Sequence, residues 1–329
     1  MRVTSLDVAR AAGVSQSTVS RALRGHPGIP PETVRRVREA AAALNYIPSD
    51  RARDLATRST RRVAMVVDLD NPLWSLLVGR LYDELARHRY RLTLIAEHGD
   101  PEDIESHVLG GSVDGVIVST AARGSRLPEV LHDREVPTVL LHRYAEDVRL
   151  DASVADDRLG ARSAARILLE AGHRRIGALL GPSSASTGRD RAAGFHDALA
   201  EAGVEAAPEH VRHGGFTFEH GRSAVTEMAA AGTLPDALFC ANDMIALGAM
   251  NAAHELGLRV PGDLALVGFD DLAEAAWPLV GLTTIRVPFE DMLRSAVDLL
   301  LERITGFRGG PRRVVHPVEP VLRSSHRRA

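Results

Sequence analysis

The 329-residue chain has a single cysteine, Cys240, and no lysine: all 40 of its basic residues are arginine. One thiol cannot close an internal disulfide, which excludes a small disulfide-stapled fold. No apolar run approaches the roughly 18 residues that a membrane helix needs. The opening residues, Met1 to Ala9, lack the apolar stretch of a secretory signal. These absences predict a cytoplasmic protein with no membrane partner. The 14 histidines are scattered without metal-ligand spacing, and Asp68 and Asp70, which flank Leu69, have no histidine or glutamate beside them at ligand spacing. Gly177 to Ser183 carries two glycines without the lysine of a phosphate loop. No metal, cofactor or catalytic residue is predicted, and the chain is not read as an enzyme. Arginine replaces lysine evenly along the chain, so this reads as composition bias rather than phosphate recognition.

What is present points to more than one folded unit. The length is roughly twice the ~150 residues that serve as a prior for one domain. With 45% hydrophobic and 25% charged residues, the composition is that of a globular protein. The net charge of -3 conceals an asymmetry. Residues 1–62 hold 12 arginines against five acids, a net of +7, and the remainder carries -10. The front of the chain is a separate basic module.

Within it, Ser5 or Thr4 can cap a helix running to Ala12, Gly13 permits a tight turn, and Ser15 caps a second helix reaching Arg24. A third helix starts at Pro30-Pro31 and places Val34, Val37, Ala41 and Leu44 on one face. Two short helices about one glycine-centred turn have helix-turn-helix form. In that geometry the front of the second helix meets base edges in the major groove. Ser15, Gln16, Ser17, Thr18 and Arg21 are therefore the candidate DNA contacts, Arg suiting guanine and Gln adenine. The alternative is a polar, solvated helix face.

From Arg62 the pattern becomes short β-branched runs alternating with amphipathic helices, the signal of parallel βαβ units. Strands are predicted at 63–68, 91–96, 113–119, 137–142, 175–180, 237–241 and 264–269. A long helix follows from Pro288 to about Thr305, then an extended stretch over 313–322. Two doubly wound lobes with a cleft between them account for this rhythm. Open parallel sheets bind ligands at the carboxyl ends of their strands. Those ends carry Asp68, Asp70-Asn71, His142-Arg143, Gly181-Pro182, Asn242-Asp243 and Asp270-Asp271. Such a polar set suits a hydroxyl-rich or heterocyclic ligand.

Leu6-Asp7-Val8-Ala9 with Ala12-Gly13-Val14-Ser15 and Ser17-Thr18-Val19-Ser20-Arg21, followed by Leu44-Asn45-Tyr46-Ile47-Pro48, resembles the lactose-repressor (LacI/GalR) family of bacterial transcription regulators. The resemblance continues through Gly172-His173-Arg174-Arg175-Ile176, Arg191 with Gly194-Phe195, Ala241-Asn242-Asp243, Val267-Gly268-Phe269-Asp270-Asp271 and Leu282-Thr283-Thr284-Ile285. It spans nearly the whole chain. It implies a small all-α helix-turn-helix DNA-binding domain at 1–48 and a hinge at 49–61. A two-lobed α/β periplasmic-binding-protein-like effector domain of doubly wound parallel sheets then fills 62–329. Lobe 1 is expected at about 62–157 plus 287–316, and lobe 2 at about 158–286 plus 317–326.

The resemblance also implies roles for single residues. In the hinge, Arg51 and Leu55 become DNA candidates, Leu55 either wedging into the minor groove or docking a linker against the lobes. Asp50 departs from the Asn or Arg of the family pattern. Arg191, Asn242 and Asp270 match positions that hold the effector, and Phe216 matches an aromatic that packs on it. Asn71 joins them in the cleft, and Trp74 is either cleft wall or lobe core. His142 stands where relatives often carry Asp, as a ligand contact or as a buried hydrogen-bonded histidine. Phe289 belongs either to the cleft or to a helix core. The expected partners are a roughly palindromic DNA operator, a small effector of the sugar class and a second copy of the chain. No heptad run follows Leu322, which favours a dimer over a tetramer. A solute-binding protein or an enzyme on the same two-lobe fold is the alternative function.

Overall fold

A computed structural model describes residues 3–46, 59–69, 71–97 and 101–327. The chain separates into two units, residues 1–60 and 61–329. The first contains α1 (Ser5–Ala12), α2 (Gln16–Leu23) and α3 (Pro31–Ala43). Thr4 rather than Ser5 is the N-cap of α1, and its backbone N–H donates to the Asp7 carboxylate at 2.9 Å. Gly13, at φ 62, takes the left-handed conformation that ends α1 without Cβ strain and turns the chain into α2. Ser15 then caps α2, its Oγ accepting from the Thr18 N–H at 3.1 Å. Val8, Ala9, Ala12, Val19, Ala22, Val37 and Ala41 form the core. Side chains this small let the three helices approach closely.

The second unit has two parallel sheets. Lobe 1 contains β1 (Arg62–Val67), β2 (Arg91–Ala96), β3 (Gly115–Val118), β4 (Thr138–Leu141), β5 (Asp151–Ala155) and β11 (Arg313–His316), in the order β11-β5-β4-β3-β1-β2. Lobe 2 contains β6 (Ile176–Leu180), β7 (Val211–His213), β8 (Ala237–Cys240) and β9 (Ala265–Val267), in the order β7-β6-β8-β9. β10 (Thr284–Arg286) and β12 (Glu319–Val321) form an antiparallel ribbon. Helices α4 (Pro72–Arg87), α5 (Pro101–Leu109), α6 (Arg126–Asp133) and α11 (Phe289–Ile304) belong to lobe 1. Helices α7 (Asp157–Glu170), α8 (Ser186–Glu201), α9 (Phe218–Ala230) and α10 (Asp243–Glu255) belong to lobe 2. β3, β4, β6 and β8 are buried at every residue, as sheets covered on both faces require. The chain passes between the lobes three times, at 155–157, 286–289 and 316–319.

Three strands, β5, β7 and β10, have no counterpart in the pattern read from the sequence, and the stretch 313–322 splits into strands of different sheets. β5 reads Asp-Ala-Ser-Val-Ala, with one β-branched residue, yet it is buried throughout. Its Asp151 carboxylate accepts from Arg303 Nη2 at 2.8 Å and Nε at 2.9 Å, from Arg312 Nη2 at 3.0 Å and from the Arg312 backbone N–H at 2.7 Å. Those partners lie more than 150 residues away, beyond the reach of a local pattern.

Candidate functional site

In the first unit, Gln16, Ser17 and Arg21 are exposed on α2, while Val19 and Ala22 are buried against α1 and α3. Ser17 and Arg21 are four apart and so share a helix face. Gln16 Nε2 donates to Ser5 Oγ at 2.8 Å, and the hydroxyls of Ser17 and Thr18 both lie 2.8 Å from Ser15 Oγ. Ser15 thus has a structural duty as the cap. Arg21 Nη2 is 3.5 Å from His26 Nδ1. Arg51 and Leu55, like Asp70 in the second unit, lie outside the described residues.

In the second unit the carboxyl ends of the strands converge between the lobes. Arg191, 1% exposed on α8, is the centre of a charged cluster. Its Nε donates to Asp157 Oδ1 at 2.7 Å, its Nη1 donates to the Ala241 carbonyl at 2.6 Å, and its Nη2 lies 3.2 Å from Asp270 Oδ1. The Phe269 ring sits 3.8 Å beneath the guanidinium. Burial pushes both carboxyls up to about 6, against the pull of Arg191. Arg191 Nη2 and Asp270 Oδ1 nevertheless lack an aligned hydrogen-bond partner. Asp270 follows β9 at φ 110 and Asp271 at φ 58, conformations that cost non-glycine residues about 1–3 kcal/mol each. Asp243 holds this turn: its carboxylate accepts from the Leu272 N–H at 2.8 Å and from the Thr284 hydroxyl at 2.6 Å.

The asparagines have local duties as well. Asn242 caps α10, its Oδ1 accepting from the Ile245 N–H at 2.9 Å, and its Nδ2 reaches the Phe216 carbonyl at 3.4 Å. Asn71 caps α4 through the Leu73 N–H at 3.1 Å. Phe216 lies over Gly181, where any Cβ would collide with its ring, and is flanked by the guanidiniums of Arg143 and Arg191 at 6.0 and 5.9 Å. His142, at φ 69, is buried with its ring 5.7 Å from Trp74 and 5.8 Å from Phe289. Burial, then the charges of Arg191 and Arg143, hold its pKa well below the usual imidazole value, so it is neutral. Its Nδ1 has no partner. Trp74, 1% exposed, packs in the lobe core behind His142. A cavity of about 540 Å³ opens between Asp68, Asn71 and Arg143 of lobe 1 and Phe216, Thr217 and Met244 of lobe 2. That is the size of a small-molecule site.

Two groups escaped the sequence reading. Asp157 follows the unrecognised β5, so nothing marked it as a strand-end residue. The other group ties the lobes together. Tyr144 Oη donates to the Asp190 carboxylate at 3.0 Å and the Tyr144 N–H to Ser186 Oγ at 3.0 Å. Glu146 pairs across the lobes with Arg189 at 3.0 Å and within lobe 1 with Arg123 at 2.7 Å. Tyr144 directly follows His142-Arg143, and Asp190 directly precedes Arg191. Among the described residues, no cluster could hold a metal ion and no helix is long and apolar enough to cross a membrane.

Residues 4–49 match the family model of bacterial regulatory proteins, lacI family, and residues 165–326 match that of the periplasmic binding protein-like domain. The HTH-type transcriptional regulator CelR of Thermobifida fusca is 34% identical over 97% of this chain and 96% of its own. The chain belongs to the LacI family. The HTH-type transcriptional repressor PurR of Haemophilus influenzae (strain PittEE) is 33% identical over 92% of this LacI-family chain and 91% of its own. The solved structure of the Lac repressor dimer bound to operator and the anti-inducer ONPF matches with a TM-score of 0.88 at 29% identity, covering 99% of this chain and 100% of that one. The CelR–cellobiose complex matches with a TM-score of 0.76 at 32% identity, covering 98% and 100%. This LacI-family protein is a DNA-binding transcriptional regulator, with a helix-turn-helix domain followed by a periplasmic-binding-protein-like α/β domain. The relatives are regulators, not enzymes.

Proposed function

We propose that this LacI-family regulator is a cytoplasmic repressor of carbohydrate-uptake or catabolic genes, binding a roughly palindromic operator as a homodimer. Gln16, Ser17, Thr18 and Arg21 read base edges in the major groove, with Ser15 positioning the helix; Arg51 contacts the backbone and Leu55 enters the minor groove from the hinge at 49–61. The effector lies in the cleft, where Asn71, His142, Arg191, Phe216, Asn242 and Asp270 contact it and Trp74 backs His142. The observation that carries this reading is the buried Arg191–Asp157–Asp270 cluster behind Phe216, which lines a cavity of about 540 Å³. The buried His142 Nδ1, which has no partner among the described residues, is unfavourable unless a ligand completes it. A hydroxyl-rich ligand also fits the ligands of solved relatives, cellobiose for CelR and ONPG for the Lac repressor. Cleft closure then shifts the population competent for DNA.

The test is a gel-shift titration of the full chain on the DNA upstream of its own gene, with and without a panel of mono- and disaccharides. The expected result is a specific complex whose stability one sugar class changes. Absence of a specific complex, or a complex indifferent to every ligand that binds the protein, overturns the reading.

A further inference from the structure

Arg21, the arginine of α2 that reads a base in the function proposed above, has a neighbour placed beside it by the way the helix ends. Gly25, at φ 68, takes the left-handed conformation just past α2. Its N–H donates to the Ala22 carbonyl at 3.1 Å, and the N–H of His26 donates to the Arg21 carbonyl at 3.0 Å. This pair of bonds is the Schellman cap, which sets the residue after the glycine against the third residue from the end of the helix. Here those residues are His26 and Arg21. An apolar contact usually joins such a pair; in this chain both members are polar.

The His26 ring is held in turn. Its Nδ1 accepts from the Gly28 N–H at 3.2 Å, and Arg21 Nη2 lies 3.5 Å from the same atom. Gly28 lies against both: a Cβ there would stand 3.5 Å from Arg21 Nη2 and from His26 Nδ1. Two donors meet Nδ1, so the ring carries its proton on Nε2 and presents a lone pair to the guanidinium. Among the described residues no carboxylate pairs with Arg21. Arg24 is folded back on the carbonyl and hydroxyl of Ser20, and Arg35 is shared by Glu32 and Glu39. The charge of Arg21 stays available to DNA. Nη2 has two hydrogens, and whichever one turns to His26, the other still forms a fork with Nη1 or Nε of the kind that guanine O6 and N7 accept. An exposed arginine loses rotamer freedom when it docks on a base edge, and a contact that limits that freedom beforehand lowers the cost. At 3.5 Å the hydrogen bond is weak: it biases the rotamers without withholding the side chain from DNA.

We propose that His26 is a positioning residue for operator reading, aiming Arg21 at its base and so setting specificity at one symmetric position of each half-site. This role rests on Arg21 reading a base edge.

Selection from a randomised operator with the full chain tests it on the parent, Arg21→Ala, His26→Leu, His26→Asn and the double variant Arg21→Ala/His26→Leu. Gel-shift titrations follow on the selected operator and on the same operator with that base changed. His26→Leu supplies the apolar residue that the cap usually carries and removes the acceptor. The expected result is that it relaxes the same position as Arg21→Ala, lowering the preference there by about two- to tenfold, the worth of one hydrogen bond. The other positions and the salt dependence stay as in the parent. His26→Asn, whose side-chain carbonyl restores an acceptor, keeps part of the preference, and His26→Leu changes nothing further once Arg21 is alanine. Preference is a ratio of affinities of one protein for two operators, so a smaller folded fraction cancels from it, and melting curves report the cap separately. An unchanged preference in His26→Leu overturns the inference and leaves Arg21 as a base reader. A uniform loss over all sequences with a shallower salt slope also overturns it, making His26 a phosphate contact itself. If Arg21→Ala leaves the consensus unchanged, base reading by Arg21 falls and the role of His26 falls with it.

Discussion

At the scale of single residues, Arg191 does more than a ligand contact requires, because it also keeps two buried carboxyl groups supplied with positive charge. Arg191→Ala strands Asp157 and Asp270 in a medium where an unpaired charge costs about 3–5 kcal/mol. The expected outcome is a large fall in melting temperature, with lost effector response inseparable from lost stability. Asp270→Asn keeps the volume of the side chain and should give a folded regulator that binds operator and no longer responds to effector; a normal response in the gel-shift titration would contradict this. The same pair sets a pH dependence. Both carboxyls are raised from 3.8 to about 6 by burial, so between these values the folded state holds protons that the unfolded state has released. Stability from this pair therefore falls as pH rises through that window, opposite to a salt-bridged surface acid. Denaturant titrations at pH 5 and pH 7 should show Asp270→Asn gaining on the parent protein at pH 7. On the DNA side, Arg21 is exposed one turn beyond Ser17. Arg21→Ala is expected to cost about 1–3 kcal/mol of specific binding and to relax one symmetric position per half-site. Selection from a randomised operator checks this, and an unchanged consensus would make Arg21 a phosphate contact.

At the scale of elements, the segment after β4 lines the cavity at Arg143 and meets the opposite lobe at Tyr144, and the first turns of α8 carry Asp190, its partner, directly before the buried Arg191. The Tyr144 hydroxyl on Asp190 is a half-buried bond between the lobes, and the Glu146–Arg189 pair is more exposed and weaker. Tyr144→Phe should therefore lower the closed fraction and weaken apparent effector affinity by about two- to tenfold, the worth of one hydrogen bond. Calorimetry checks this, and unchanged affinity would mean that the Tyr144 hydroxyl does not contribute to closure. The elements legible in the sequence were those with local signatures: the glycine turn and serine cap of the helix-turn-helix, β1 and β3 with their β-branched runs, and the apolar stripe of α11 from Met292 to Leu300. The residues around Arg191 were legible through their strand-end motifs. Asp157, Tyr144 and Asp190 were not. Their meaning depends on β5, an Asp-Ala-Ser-Val-Ala strand recognisable only from its neighbours, and on a lobe-to-lobe contact that no periodicity encodes. Asn242 and Asn71 show the converse: motif and strand end singled them out, but did not reveal that each caps a helix.

At the scale of the whole molecule, the two units differ in charge, with +7 in residues 1–62 and -10 in the rest. The acidic unit repels DNA, so non-specific attraction is confined to the basic one. Operator affinity should fall by about 10³-fold between 50 and 200 mM salt if a dimer makes six or more phosphate contacts. A slope near zero in the gel-shift titration would remove the basic module from the interface. The ion cluster of Asp151, Arg303 and Arg312 has a further consequence, for the order in which the protein is made. Lobe 1 completes its sheet with β11, synthesised after all four strands of the lobe 2 sheet, and the buried Asp151 carboxylate waits for arginines in the same late segment. On the ribosome, lobe 2 can pack its sheet of β6 to β9 while β5 still shows a bare edge and an uncompensated charge. An early stop codon before Arg312 would therefore release a chain whose first-made lobe displays a sheet edge open to aggregation.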